Sequence, residues 1–384
     1  MHIKTSRTYY LTLIASLFAV ALLNTSCYDY SEDEKPAPAL TVQSEPEIEG
    51  VVVGYNEYNC IIANFTREQM DKAGFILGDE VTVTTGGKSI DMPYYDGYYP
   101  KTGEFLAVAY PTCKNILVTR NNIGMPDDMM SLVGQKIAIK FKKKGAYSAV
   151  QTALGMVYSN NRSDYASDQI FANERAVNLG NLAQNRLYRS ASPFDNQANR
   201  ARYSSALMEK NGVQTVLNLS DTEWKIFSYD LAPYSKQMWD EGNVILCQLM
   251  SNPADAEYNQ KLIAALKEMS TRKGPYLVHC VEGKDRTGYV CALLEGLCGA
   301  TYEEIVNDYL ITYDNYYDVT PRNKPEVCST LVSIRLNECL MYYANVEDEA
   351  ALPKVDFSKA FADYLLSHGM NAEELGKLIS ALTE

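Results

Sequence analysis

The sequence predicts an α/β unit, a parallel sheet flanked by helices, preceded by a small β-rich domain. Residues 50–145 hold short β-branched runs divided by turn residues, whereas beyond about residue 150 strand-like runs alternate with amphipathic ones. With 384 residues, 46% of them hydrophobic, the chain has enough apolar material for two folded units.

Along the chain, Lys4 and Arg7 precede an uncharged run over 8–23, then Asn24, Thr25, Ser26 and Cys27. A basic start, an apolar stretch too short to span a bilayer and small residues before a cleavage point predict a signal segment over 1–26. Residues 27–49 carry Glu32, Asp33, Glu34, Pro36, Pro38 and Pro46 without apolar periodicity and predict a solvated tether. The β-rich domain is expected over 50–150, with strands at 51–53, 61–65, 80–84, 105–109, 116–119 and 136–141. Gly86-Gly87-Lys88-Ser89 has the look of a phosphate loop. Thr82 stands where that motif needs its first glycine, so a hairpin turn is the better reading. Tyr94, Tyr95, Tyr98 and Tyr99 are expected to pack together.

The α/β domain is expected over 151–384. A helix over 197–210 closes at Asn211-Gly212, strands follow at 213–219 and 244–249, and Leu262, Ala265, Leu266 and Met269 mark a helix over 258–269. A strand at 276–278 leads into a loop and a helix over 286–297. Thr301 with Glu304, and Asn371 with Glu374, start later helices with capping boxes.

Composition narrows the chemistry. The formal net charge is -13 and no Lys/Arg block is long enough to follow a phosphodiester backbone, so nucleic acid is not an expected partner. His2, His279 and His368 are the only histidines, which argues against a multi-histidine metal site, and no metal or cofactor is expected. Cys60, Cys113, Cys247, Cys291, Cys298, Cys328 and Cys339 lack paired zinc-ligand spacing and read as buried thiols.

The decisive segment is His279-Cys280-Val281-Glu282-Gly283-Lys284-Asp285-Arg286-Thr287-Gly288, between a strand and a helix. A cysteine, five residues and an arginine form a loop short enough to wrap a tetrahedral dianion. The backbone N–H groups of residues 281–286 then form a nest, and the helix N-terminus adds its positive dipole. Arg286 supplies two parallel charge-assisted hydrogen bonds, and these positive groups favour Cys280 as a thiolate nucleophile. Gly283 permits the turn, and the Thr287 hydroxyl is placed to donate to the departing sulfur. His279, one residue before the nucleophile on a strand, points away from it and is expected to hydrogen-bond the loop backbone.

This loop resembles the signature of cysteine-dependent protein tyrosine phosphatases, in the bacterial tyrosine/serine branch that carries Lys-Asp before the arginine. Asn178-Leu179-Gly180-Asn181-Leu182, Leu187-Tyr188-Arg189-Ser190, Thr215–Leu219 with Glu223, and Asn307-Asp308-Tyr309-Leu310 add to it, so that it covers about 170–384. The placement of Cys27 similarly resembles a bacterial lipoprotein signal. It implies lipidation there, a membrane anchor and a place in the cell envelope, in the outer membrane or periplasm, with surface exposure suggested by the acidic run.

The resemblance implies a phosphatase-like fold, a cysteinyl-phosphate intermediate, and Asp285 as the acid and base, with Asp221 as the alternative acid. It also implies phosphorylated protein, peptide, phospholipid or inositol phosphate substrates, with Lys284 favouring breadth. Related enzymes have Asp-Leu-Arg where this chain has Asn218-Leu219-Ser220, so one carboxylate and one guanidinium are missing. Two rival readings follow: a phosphoinositide or inositol polyphosphate phosphatase, and a phosphate-binding module without turnover. A sulfur-transfer or arsenate-reducing enzyme fits the Arg-Thr-Gly ending poorly.

Overall fold

Seven strands close into a barrel ahead of a five-stranded sheet. The structure, a computed structural model, describes residues 45–101, 103–250 and 252–384. The expected signal over 1–26, Cys27 and the tether as far as residue 44 lie outside the described residues.

The barrel strands are β1 (Glu47–Tyr55), β2 (Ile61–Thr66), β3 (Glu80–Thr85), β4 (Lys88–Tyr95), β5 (Phe105–Val108), β6 (Asn115–Arg120) and β7 (Lys136–Lys143), in the closed order β1-β2-β6-β5-β4-β3-β7. Closure leaves no free edge. Alternate residues Val52, Ile61, Ala63, Phe65, Val81, Val83, Ile137 and Ile139 point inward. Two features depart from the expectation. Residues 47–49, assigned to the tether, open β1, because Glu47 and Glu49 meet Lys140 and Lys136 of β7 at 3.1 and 2.6 Å. β4 was not expected, since Lys88, Ser89, Asp91 and Pro93 break its apolar pattern. Gly86-Gly87, both at positive φ, make the two-residue turn from β3 to β4, and Tyr94 and Tyr95 are buried.

A helix over Ser148–Leu154 leaves the barrel, straddling the boundary expected at 150. Gln151 accepts from the Asp96 backbone N–H and donates to its carboxylate at 3.2 and 2.7 Å, while Ala153 enters the core of the following sheet.

That sheet comprises β8 (Arg175–Val177), β9 (Leu187–Ser190), β10 (Thr215–Asn218), β11 (Val244–Leu246) and β12 (Tyr276–His279), in the order β11-β10-β12-β9-β8. β11, β10, β12 and β9 run parallel, with crossovers through helices. The sheet is not wholly parallel as expected: β8 pairs antiparallel with β9, to which a short loop without a crossover joins it. Both faces are covered. Leu187, Leu217, Tyr276 and Val278 pack against helices Ala256–Met269 and Asp285–Leu297; Tyr188, Val216 and Leu277 pack against Ala201–Lys210 and Pro233–Asp240. The helix expected from 197 begins at Ala201, because Asp195 and Asn199 hold the preceding residues in turns. The capping boxes at Thr301/Glu304 and Asn371/Glu374 form.

Candidate active site

Cys280 sits at the C-terminal end of β12, the strand at the centre of the sheet, and the loop it opens runs into helix Asp285–Leu297. Alternation along β12 sends neighbours to opposite faces. Cys280, 4% exposed, joins the core with Val278, while the His279 ring lies 5.4 Å from Phe194 on the other face. Burial holds His279 down to about 4, so the imidazole is neutral. Its Nδ1 donates to the Cys280 carbonyl at 3.2 Å.

The loop turns its carbonyls outward. Val281 O accepts from the Ser192 N–H (3.1 Å) and Glu282 O from the Tyr316 hydroxyl (2.7 Å). Gly283 O accepts from Asn173 Nδ2 and Arg189 Nη2, both at 3.1 Å, and Lys284 O from the Gly288 N–H at 2.9 Å. Each peptide is planar, so carbonyls held outward aim the N–H groups inward. Among the described residues, no backbone N–H of 281–287 donates to a protein acceptor. A nest of donors results, at a helix N-terminus, around the cysteine. Gly283 has φ +68°, and a Cβ there would run into the Ser190 carbonyl.

Arg286 donates from Nη1 to Leu219 O (3.1 Å) and Leu249 O (3.2 Å), the carbonyls that follow β10 and β11. One arm of the guanidinium is thereby fixed, and Nε and Nη2 have no protein acceptor among the described residues. The Thr287 hydroxyl is likewise buried without a partner among them.

The two candidate carboxylates differ in their surroundings. Asp221 is buried, with Oδ2 accepting from Asn218 Nδ2 and Oδ1 from the Tyr229 hydroxyl, both at 3.0 Å. Asn218 Oδ1 accepts from the backbone N–H of Ser220 and of Asp221. Asn218 and Ser220 thus build the turn after β10. Asp285 is partly exposed, its Oδ1 has no hydrogen-bond partner among the described residues, and its Oδ2 lies 3.9 Å from Lys284 Nζ. Lys284 Nζ also meets Glu282 at 3.1 Å; burial would lower its ammonium, but Asp285, Tyr317 and Glu282 outweigh burial and raise it.

Behind the loop lies a buried ion cluster. Asp308 accepts from Arg175 Nε at 2.7 Å and Arg189 Nη1 at 2.5 Å, and Arg189 is 1% exposed. Burial alone would raise the Asp308 carboxyl; the two guanidinium groups overcome it and hold the carboxyl well below its usual range.

A family model for the tyrosine phosphatase family matches residues 174–384. The chain belongs to this family. Membership makes it a phosphatase whose substrates are phosphorylated compounds. No curated protein matches the chain. Among solved structures, the catalytic domain of the PP-IP phosphatase SIW14 from S. cerevisiae is similar at 18% identity. The match covers 43% of this phosphatase and 98% of that chain, with a TM-score of 0.25. TpbA from P. aeruginosa matches at 18% identity over 55% and 96% of the two chains, TM-score 0.21. An uncharacterised Thermotoga maritima protein matches at 20% identity over 26% of this phosphatase and 37% of that chain, TM-score 0.23.

Sequence reasoning missed Asn173, Tyr158 and Tyr316, which brace the phosphatase loop from outside it, and Arg175, which holds Asp308 behind it. Arg189 and Asp308 lay within segments that carried the family resemblance, so their roles were within reach. For the others no local pattern marks a residue that meets the loop from more than thirty positions away.

Proposed function

We propose that this phosphatase hydrolyses phosphate monoesters through a cysteinyl-phosphate intermediate on Cys280. The observation that carries this reading is the loop whose carbonyls are all held outward, which surrounds the thiol with backbone donors. The nest and the Arg286 fork bind the phosphoryl oxygens. The Cys280 thiolate attacks phosphorus, and the S–P bond forms as the P–O bond to the leaving group breaks. Asp285 gives its proton to the leaving oxygen. Water then attacks phosphorus, yields its proton to the Asp285 carboxylate, and the sulfur departs, with Thr287 placed to donate to it. Asp221 is not assigned this task, because both of its oxygens are taken by Asn218 and Tyr229.

For the substrate, we favour a phosphorylated protein or peptide over an inositol polyphosphate. Leu219 and Leu249, whose carbonyls hold Arg286, precede segments that expose Trp224 (84%), Phe227 (64%) and Met250 (66%) to solvent. Exposed apolar groups on the segments that follow these two carbonyls suit a substrate with an apolar body, and Lys284 is already engaged by Glu282 and Asp285. The inositol phosphate reading gains if the enzyme turns over polyphosphorylated rings. Phosphate release from phosphotyrosine and phosphoserine peptides, phosphoinositides and inositol hexakisphosphate tests this. The expected ranking places peptides with apolar neighbours first, and Trp224→Ala erodes that preference. Preference for inositol hexakisphosphate contradicts the substrate reading, and binding without turnover would leave only a phosphate-recognition module. The reading of residues 1–27 as an export and lipidation signal places the enzyme on the cell envelope. Retention of a Cys27→Ala variant in the membrane fraction contradicts anchoring through a lipid on Cys27.

A further inference from the structure

We propose that Tyr158, which lies ahead of the family region beginning at residue 174, is a positioning residue for the phosphate loop. It holds the Glu282 carboxylate against Lys284 and away from the phosphoryl cradle. The inference rests on the reading of residues 280–286 as that cradle.

Glu282 is an awkward residue for such a loop. An unrestrained carboxylate at the mouth of a dianion site repels the dianion. Here each part of the residue is fastened. The Tyr158 hydroxyl donates to Oε1 at 2.8 Å, Lys284 Nζ meets Oε2 at 3.1 Å, and the Tyr316 hydroxyl donates to the backbone carbonyl at 2.7 Å. Tyr158 and Tyr316 are stacked at 4.9 Å with planes 23° apart, and the Tyr317 ring meets the edge of Tyr158 at 5.8 Å. Although burial would raise the Glu282 carboxyl, the Lys284 charge and the Tyr158 hydroxyl hold it below its ordinary value.

Tyr158 is itself clamped. The buried Arg200 guanidinium lies 4.8 Å from its ring and 4.9 Å from that of Tyr316, and donates to Ser159 O at 2.8 Å and Asn160 Oδ1 at 2.6 Å. The segment carrying Tyr158 leaves helix Ser148–Leu154, which Gln151 ties to Asp96 of the barrel. The barrel thereby fixes the start of the segment that steadies the catalytic loop.

The full chain carrying Tyr158→Phe, which keeps the stacked ring and loses the hydroxyl, tests the assignment. Affinity for inorganic phosphate is read by titration calorimetry, and kcat and KM with para-nitrophenyl phosphate. Tyr158→Phe is expected to weaken phosphate binding and raise KM by roughly three- to tenfold with kcat nearly unchanged, the scale of the net contribution of one ordinary hydrogen bond. In a Glu282→Gln background the same substitution is expected to change either quantity by less than about twofold. An equal loss in both backgrounds, or no loss in either, overturns the proposal. If no ester is turned over while inorganic phosphate still binds, the hydrolase reading fails and the affinity measurements alone decide for or against Tyr158. A wild-type chain that binds no phosphate overturns both.

Discussion

Arg189 reaches from β9 to donate to the Gly283 carbonyl at 3.1 Å, while its other terminal nitrogen is held by Asp308 at 2.5 Å. The loop is thus braced by a buried charge cluster, and its shape depends on residues that never meet substrate. Desolvating these charges is costly, and only the complete set of partners offsets it.

Removing the centre of that cluster should therefore be severe. Asp308→Asn is expected to cost about 3–5 kcal/mol, because Arg175 and Arg189 are left as uncompensated buried charges. Urea unfolding of the variant measures this, and a loss below about 1 kcal/mol contradicts the bracing role.

Gly283→Ala separates loop shape from global stability. Its φ of +68° and the Ser190 carbonyl beside it leave no room for a methyl group. The loop must shift, and a displacement near 1 Å at reacting atoms costs about 100-fold in rate. Phosphate release should fall by that order while the chain stays folded by circular dichroism.

The two aspartates make opposite predictions. Asp285→Asn should lower kcat by about 100- to 10,000-fold with little change in stability, as loss of a general acid and base does. Asp221→Asn should instead lower stability by about 1–3 kcal/mol, since it disturbs the turn built with Asn218 and Tyr229. A larger kcat loss in Asp221→Asn than in Asp285→Asn reverses the assignment.

The buried Glu174 sets a pH dependence of stability. Burial lifts the Glu174 carboxyl from an ordinary 4.5 to about 7, only partly offset by Asn211. A raised carboxyl contributes stability that is fully present below about pH 4.5 and lost as pH rises through about 7. Urea unfolding at about pH 5 and about pH 8.5 should show this decline, and Glu174→Gln should flatten it. An unchanged slope in the variant contradicts the account.

What the sequence made legible followed from local chemistry. The cysteine loop, the strand before it and the helix after it stand together in ten residues, and helices with capping boxes announce their own starts. β4 was hidden because Pro93 and Asp91 interrupt its alternation, and closure of the barrel depends on pairing between β1 and β7, remote in sequence. β8 stayed unread because three residues are too short to show a period. The site divides the same way. Cys280, Arg286 and Gly283 were readable from spacing. Asn173 and Tyr158 reach the site only through tertiary contacts, and Arg175 acts one step further back, through Asp308.

The central claim is that phosphoryl transfer passes through Cys280, and the most direct test is to trap the intermediate. The full chain is mixed with a phosphotyrosine peptide, quenched in acid within a single turnover, digested and analysed by mass spectrometry. The account predicts one phosphoryl group on the peptide containing Cys280, absent in Cys280→Ser, which also releases no phosphate. Sustained phosphate release by Cys280→Ser would contradict the claim and move the chemistry elsewhere.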